Sequence, residues 1–329
     1  MPHPLKELER IEITCLMDNY VDALAEDGCR VMHRPALVKK AADGRKVLTA
    51  SPLAEHGFSA HVLLADDHAE APLLFDFGCS EQGVLYNADL LSLDLSPVRC
   101  LVLSHGHLDH VGGLKTVMER LAGQPLELIL HPAALRSNRH VRTRSGERIF
   151  FPPFSLDPLM RTGLVARKTT RPLLLFDGKA LFLGEIPRRC PFETGMSHAF
   201  YEENGMGKND GIEDDSALVF HLRGRGLVIL TGCAHAGIIN TITYAREITG
   251  IERIHAVMGG FHLSGGCATA TAPTIAALKK IAPDYVIPAH CTGRAAGLAI
   301  EQAMPGQFLL NMSGTRFTFS GYTLDSGDV

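Results

Sequence analysis

The chain has 329 residues, 46% hydrophobic and 21% charged, with 32 Lys and Arg against 36 Asp and Glu, a formal net charge of −4. That length and apolar content allow a sizeable globular core, and the acidic balance argues against a nucleic-acid binder, whose footprint is basic. Eight cysteines lie scattered without a CxxC pair, no apolar run is long enough to span a bilayer, and the opening MPHPLKELERIEIT has no signal-peptide core; a reduced, cytoplasmic setting with no membrane partner is expected, with most cysteines as small core residues.

In chain order, IEITCLMDN reads as a strand, and residues 31–55 as an irregular excursion rich in Pro, Lys and Arg. FSAHVLLAD and APLLFDFGC are strands, the second closing on Asp76 and Gly78. NADLLSLDLSP reads as a short helix, VRCLVLS as a buried strand, GGLKTVMERLAG as the helix after it and LELILHP as another strand. Residues 133–172 read as an irregular insertion or lid, and 193–215, polar and acidic, as a long loop. Between them PLLLFDGKALFLGEIP holds two strands. Then SALVFHL, GLVILTGC, a helix over 237–248, RIHAVMGG, a helix over 273–280, DYVIPAHC, a helix over 293–302 and final strands within 307–321 complete the chain. No repeat or linker divides it, so one domain over 1–329 is expected, an α/β unit with sheet covered by helices.

LVLSHGHLDHVGG, residues 101–113, sets His105, His107, Asp109 and His110 at the end of a buried strand and before a Gly-Gly helix start. Imidazole and carboxylate suit zinc, and also iron or manganese. Four such ligands exceed what one ion with an open position needs, so two adjacent ions are expected. Three later apolar strands end in a histidine: LVILTGCAH in His235, HAVMGGFH in His262, YVIPAHCTG in His290. Ligands at the carboxyl ends of strands collect along one sheet edge. His235 and His290 are the expected ligands; His262 is open as ligand, ligand support or substrate contact. His221 and His255 lie within apolar strands and His131 before Pro132, all with structural readings, while His140 and His198 sit in loops. The arginines at 136, 139, 142, 144 and 148 read as a solvated face or an anion-binding lid. Thr292, Gly293 and Arg294 at a helix start read as an ordinary N-cap or an anion-binding turn.

SHGHLDH resembles the HxHxDH signature of the metallo-β-lactamase superfamily, and LFDFGCS its earlier strand ending in a structural aspartate, here Asp76. LGEIPR, DDSALVF, GLVILTGCAHAGIINTI, MGGFHL and PAHCTG resemble the dihydropterin-methyl-ribofuranosylaminobenzene-phosphate synthase-like branch. The resemblance covers most of the chain. It implies a metallo-β-lactamase-like αββα sandwich: two mixed sheets packed face to face, helices outside. It implies that His105 and His107 bind a first metal, that Asp109 and His110 bind a second, and that His290 completes the second. His107 stands where the flavodiiron branch usually has an acid. Cys233 stands where many relatives have a bridging aspartate, and Glu185 where a histidine is usual, which leaves His235 as the remaining first-metal ligand and Cys233 and Glu185 as ligands or near neighbours.

The activity these features imply is metal-dependent hydrolysis: a hydroxide on two divalent ions, zinc first, attacks an ester, thioester or phosphoester of a small anionic substrate, pterin-like and phosphorylated by the family name. Asp109 orients the nucleophile. The competing readings are an iron-dependent oxidoreductase of the same fold and a low-turnover ligand-binding or signalling module. A true β-lactamase and a nuclease are disfavoured, and homo-oligomerisation is left open.

Overall fold

The computed structural model describes residues 3–48, 50–160 and 163–321, without the side chains of Lys39, Pro158, Gly266, Cys267 and Ala268. Cys267, counted among the expected core cysteines, thus has its side chain outside the described set. Among the described residues, two large mixed sheets face each other. The first runs in the order Leu164–Lys168, Leu126–Leu130, Cys100–Val102, Glu70–Phe75, Ser59–Ala65, Arg10–Met17, Arg316–Ser320 and Met32–His33. The second runs Leu173–Leu175, Ala180–Phe182, Ala217–Leu222, Gly226–Thr231, Ile254–Gly260 and Tyr285–Ala289, with Glu7–Leu8 alongside Ala217–Leu222.

Three buried clusters make four layers. Ile11, Ile13, Phe58, Phe75, Phe182, Phe220, Val228, Met258 and Phe317 fill the space between the sheets. Outside the first sheet, Leu74, Leu101 and Leu128 pack with Val84, Ala88, Val117 and Met118 from helices Gly83–Leu90 and Leu114–Arg120. Outside the second, Val219, Ile229 and Val257 pack with Ile238, Ile242, Leu278 and Ile300 from helices Ile238–Thr249, Thr271–Ile281 and Arg294–Ala303. Alternate residues of a strand point to opposite faces, so a strand covered on both sides must be apolar throughout. Every residue of Gly226–Thr231 (GLVILT) is buried for this reason.

The parallel part of each sheet positions the site. Glu70–Phe75, Cys100–Val102 and Leu126–Leu130 run parallel in the first sheet, and Gly226–Thr231, Ile254–Gly260 and Tyr285–Ala289 in the second. Their carboxyl ends open on one rim. Helix Ile238–Thr249 begins just beyond that rim, where the Glu193 carboxylate accepts the N–H groups of Ile239 at 2.7 Å and Asn240 at 2.8 Å. This caps the orphan donors of the helix N-terminus from a distant segment.

The three segments expected to be irregular carry structure. Ala199–Glu203 and Met206–Asn209 form a hairpin in place of the long loop over 193–215. It extends into a four-stranded sheet with His140–Arg142 and Arg148–Phe150 from the insertion. The sequence hid this because Tyr201, Glu202 and Glu203 are polar; the hairpin is half exposed and lacks an apolar alternation. The excursion over 31–55 holds a small hairpin, Val38–Lys40 with Lys46–Leu48. No described helix is long and apolar enough to cross a membrane.

Candidate metal centre

The motif leaves the strand Cys100–Val102, and His105 and His110 are each set by a partner behind the ring. Asp76, buried at the end of its own strand, accepts the Ser104 N–H and hydroxyl, both at 2.7 Å. With that hydroxyl committed, His105 Nδ1–H donates to Ser104 Oγ at 3.0 Å, which turns His105 Nε2 forward. The other oxygen contact of Asp76 is His110 Nδ1 at 2.6 Å, which turns His110 Nε2 forward in the same way. A carboxylate behind an imidazole fixes its tautomer and raises its basicity. Gly106 must be glycine: a Cβ there would meet the Ala134 carbonyl oxygen at 2.1 Å. Its N–H donates to Asp214 Oδ2 at 2.8 Å.

Two donor groups result. In the first, His105 Nε2 lies 3.0 Å from His107 Nδ1 and 3.2 Å from His235 Nε2. Burial, then neighbouring imidazoles, hold His105 and His235 well below the ordinary histidine pKa, and burial, then Arg139, holds His107 at about 4. These are neutral imidazoles with converging nitrogens, a set that fits a divalent cation. The second group is Asp109, His110, Cys233 and His290. His290 Nε2 is 3.1 Å from Asp109 Oδ2, and His110 Nε2 is 3.1 Å from Cys233 Sγ. Burial opposes ionisation of Asp109, but His110 and His290 outweigh it and hold the carboxyl well below its usual range. Burial likewise opposes charge on His110, yet Asp76 and Asp109 lift it to about 9. A metal entering here displaces that proton. The rings of His105 and His110 pack 4.2 Å apart, so the two groups share one wall.

His235 and His290 therefore join the motif, as their positions at strand ends imply. Cys233 stands in the second group. Glu185 does not reach either: its side chain is 54% exposed and its nearest ring is His131 Nε2 at 3.7 Å, because its backbone N–H is held by Thr170 O on the outer side. Arg188 and Arg189, close to Glu185 in sequence, are also engaged elsewhere, Arg188 with the His235 carbonyl at 2.8 Å and Arg189 with Glu247 at 2.5 Å. The His262 ring lies tilted against His235, ring centroids 4.2 Å apart, but His262 groups with Cys233 and Cys291 rather than with the histidines. The anion-binding turn is altered too. Thr292 is buried and its hydroxyl accepts the Phe261 N–H at 3.0 Å, and the Gly293 N–H reaches the His290 carbonyl at 3.3 Å. All three line a cavity of about 480 Å³ beside His290, and Arg294 is the exposed one.

Two of the insertion arginines, Arg136 and Arg139, turn inward, while Arg142, Arg144 and Arg148 lie on an exposed face. Arg139, 3% exposed, pairs with Asp210 at 2.8 Å and with Asp214, and Arg136 pairs with Asp210 and Glu213. Burial opposes ionisation of Asp214, but Arg139 outweighs it and brings the carboxyl to about 2. Arg148 pairs with Glu202 at 2.5 Å, and Arg142 lies over the Phe200 ring. These arginines clamp the insertion to the acidic segment, in place of an anion-binding lid. His131 caps Ala133 N, His140 holds Asn138 O, His221 lies near Glu7 and His255 pairs with Asp284, all structural roles; His198 lines a shallow cavity with Arg142 and Arg144.

Sequence reasoning missed the support for His290. Asp18 Oδ1 accepts the His290 N–H at 2.8 Å, Asn19 Nδ2 donates to the His290 carbonyl at 3.1 Å, and His290 Nδ1–H donates to Asn19 Oδ1 at 3.2 Å. The available signal was MDN at a strand end, the same sign that marked Asp76. It also missed His56, whose Nε2 is 3.6 Å from Asp109 Oδ2 at the mouth of the site. Four non-glycine residues at the rim adopt left-handed backbone, Asp76 (φ 58), Ala234 (φ 52), His262 (φ 45) and His290 (φ 49). Each costs on the order of 1 kcal/mol, and such outliers cluster at functional sites.

The four-layer architecture with donor groups on the shared rim is the metallo-β-lactamase fold, and residues 57–163 match the family model of the Metallo-beta-lactamase superfamily. Across the chain, similarity extends to two curated proteins of Methanocaldococcus jannaschii. One is 7,8-dihydropterin-6-methyl-4-(beta-D-ribofuranosyl)-aminobenzene-5'-phosphate synthase, 28% identical over 257 residues, 73% of this chain and 81% of that protein. The other is an uncharacterized protein, 28% identical over 243 residues, 73% of this chain and 85% of that one. Among solved structures, Tm1679, a metal-dependent hydrolase of the beta-lactamase superfamily, superposes with TM-score 0.71 at 25% identity, covering 94% of this chain and 99% of that one.

Proposed function

We propose that the protein is a dinuclear metal-dependent hydrolase acting on an ester, thioester or phosphoester of a small anionic molecule, with residues 1–329 working as one catalytic domain. The observation that carries this reading is the pair of convergent donor groups sharing a wall, His105–His107–His235 beside Asp109–His110–Cys233–His290. Divalent ions held there, zinc first and iron or manganese also suited to the donors, would supply Lewis acidity and bring a water near neutrality into its nucleophilic form.

The chain's own residues do the rest. Asp76, through Ser104 and directly, keeps His105 and His110 in the tautomers that present Nε2. Asp109, ionised and held by His290, orients the nucleophile. His56, with its side chain 69% exposed beside Asp109, stands where a proton can pass to solvent. The cavity beside His290 receives the substrate, and among the described residues that line it Arg294 is the one lysine or arginine for an anionic group. The synthase relative favours a phosphorylated, pterin-like substrate. It also motivates a second reading, in which the same centre serves a synthase reaction.

Metal analysis of protein purified without added metal, followed by a panel of aryl esters, thioesters and phosphodiesters, tests this reading. Hydrolysis that disappears with chelator and with His107→Ala is expected. Undiminished turnover in either case overturns the reading, and iron as the sole metal, with redox turnover and no hydrolysis, moves the protein to an oxidoreductase.

A further inference from the structure

A third donor set adjoins the paired groups and overlaps the second at Cys233. Cys233, His262 and Cys291 offer two sulfurs and one imidazole nitrogen, all within 4.8 Å of one another. They come from the ends of three adjacent parallel strands, Gly226–Thr231, Ile254–Gly260 and Tyr285–Ala289. We propose that these three residues form a thiolate-rich metal subsite, sharing Cys233 with the Asp109–His110–His290 group and taking a thiophilic divalent ion such as Zn²⁺ or Cd²⁺.

The arrangement is more specific than three buried side chains in contact. Around zinc, with Zn–S near 2.3 Å and Zn–N near 2.0 Å, tetrahedral donors stand roughly 3.3–3.8 Å apart, so donors already within 4.8 Å of one another close on the ion by side-chain movement alone. Gly260 makes the approach possible: a Cβ there would meet Cys291 Sγ at 2.5 Å and Cys233 Cα at 3.0 Å. The backbone of His262 is left-handed, and its ring lies tilted against His235, ring centroids 4.2 Å apart. His262 also lines a small cavity with Glu193, His235 and Leu263, which leaves room for a further ligand. Among the described cysteines, Cys233 and Cys291 alone enter a donor group with histidine; Cys15 is held by Asn311 and Met17. Two thiolates and one imidazole are softer than the histidine group, and soft donors select thiophilic ions.

The subsite shares a residue with the dinuclear reading, so the test separates them. Reduced, metal-free protein is titrated with CdCl₂ while sulfur-to-cadmium charge transfer is followed in the ultraviolet and bound cadmium is counted. The wild type should develop the band, with cadmium NMR reporting an ion bound by two sulfurs. Cys291→Ala should lose one bound ion and about half of the band, and His262→Gln should weaken that step about tenfold or more. His107→Ala should keep the full band while losing an ion from the histidine group. A complete band and full stoichiometry in Cys291→Ala overturn the subsite, and so does a wild-type cadmium signal with at most one sulfur, which needs no variant to fold. Unchanged metal content in His107→Ala, with the thiolate band present, instead overturns the dinuclear reading and leaves the subsite standing.

Discussion

The two halves of the site are built differently. Four donors of the front half, His105, His107, Asp109 and His110, lie within six consecutive residues, on one loop after one strand. The back half draws Cys233 and His235, His262, and His290 and Cys291 from three strands of the other sheet. The front half is held by a carboxylate near it in the same sheet, Asp76, and by a clamp from the insertion, Arg139–Asp214. Support for the back half comes from across the molecule, Asp18 and Asn19 reaching His290 over some 270 residues of chain. A contiguous motif keeps its ligand spacing under local disturbance, whereas ligands gathered by topology depend on the packing of both sheets.

This contrast can be broken at several points. The largest effect is expected from His107→Ala or Asp109→Ala, each of which removes a donor. Metal content and hydrolysis should fall by more than the ~10–100-fold typical of losing a supporting partner, with the melting temperature of the metal-free protein little changed. Asp214→Ala should destabilise the fold by about 3 kcal/mol in chemical denaturation, since it leaves Arg139 buried with Asp210 as its remaining acid. Asp214 also predicts an acid dependence. Its folded pKa of about 2 lies below the ordinary 3.8, so its contribution is complete above about pH 4 and is lost as pH falls through 2. The difference corresponds to about 2 kcal/mol, and Asp214→Asn should flatten that limb of the stability–pH curve.

Two smaller effects sharpen the comparison. Asp76→Asn should weaken metal binding about 10–100-fold in both groups, because the carboxylate supports His105 and His110 together. Asn19→Ala should weaken it about tenfold, in the second group alone, because only His290 loses its partner. Stepwise zinc titration with a competing chelator reads both. Equal losses at both steps in Asn19→Ala would mean that the halves are not separately supported.

Much of this was legible in the sequence. Apolar runs such as GLVILT and CLV marked the buried strands, and their endings in histidine marked His235 and His290 as members of the site. The polar hairpin over 199–209 was not legible, since half-exposed strands carry little apolar pattern, and neither was the inward turn of Arg136 and Arg139. Glu185 and Thr292 show the limit of reasoning by position. Both sit beside the right loops, yet one backbone hydrogen bond to Thr170 leaves the first facing solvent, and the Phe261 N–H occupies the second.

By itself the sequence determined the front of the site, because donors packed within six residues can converge only locally, whatever surrounds them. It also determined which later strands end in histidine, a side chain suited to metal ligation. Tertiary structure alone decided the partition of those donors. Parallel pairing of Gly226–Thr231, Ile254–Gly260 and Tyr285–Ala289 sends His235 to the histidines, His290 to Asp109, and His262 to a pair of thiols. The physical reason is that left-handed turns at Ala234, His262 and His290 aim each side chain from its strand end, and their aim is set by the packing of two sheets on one core.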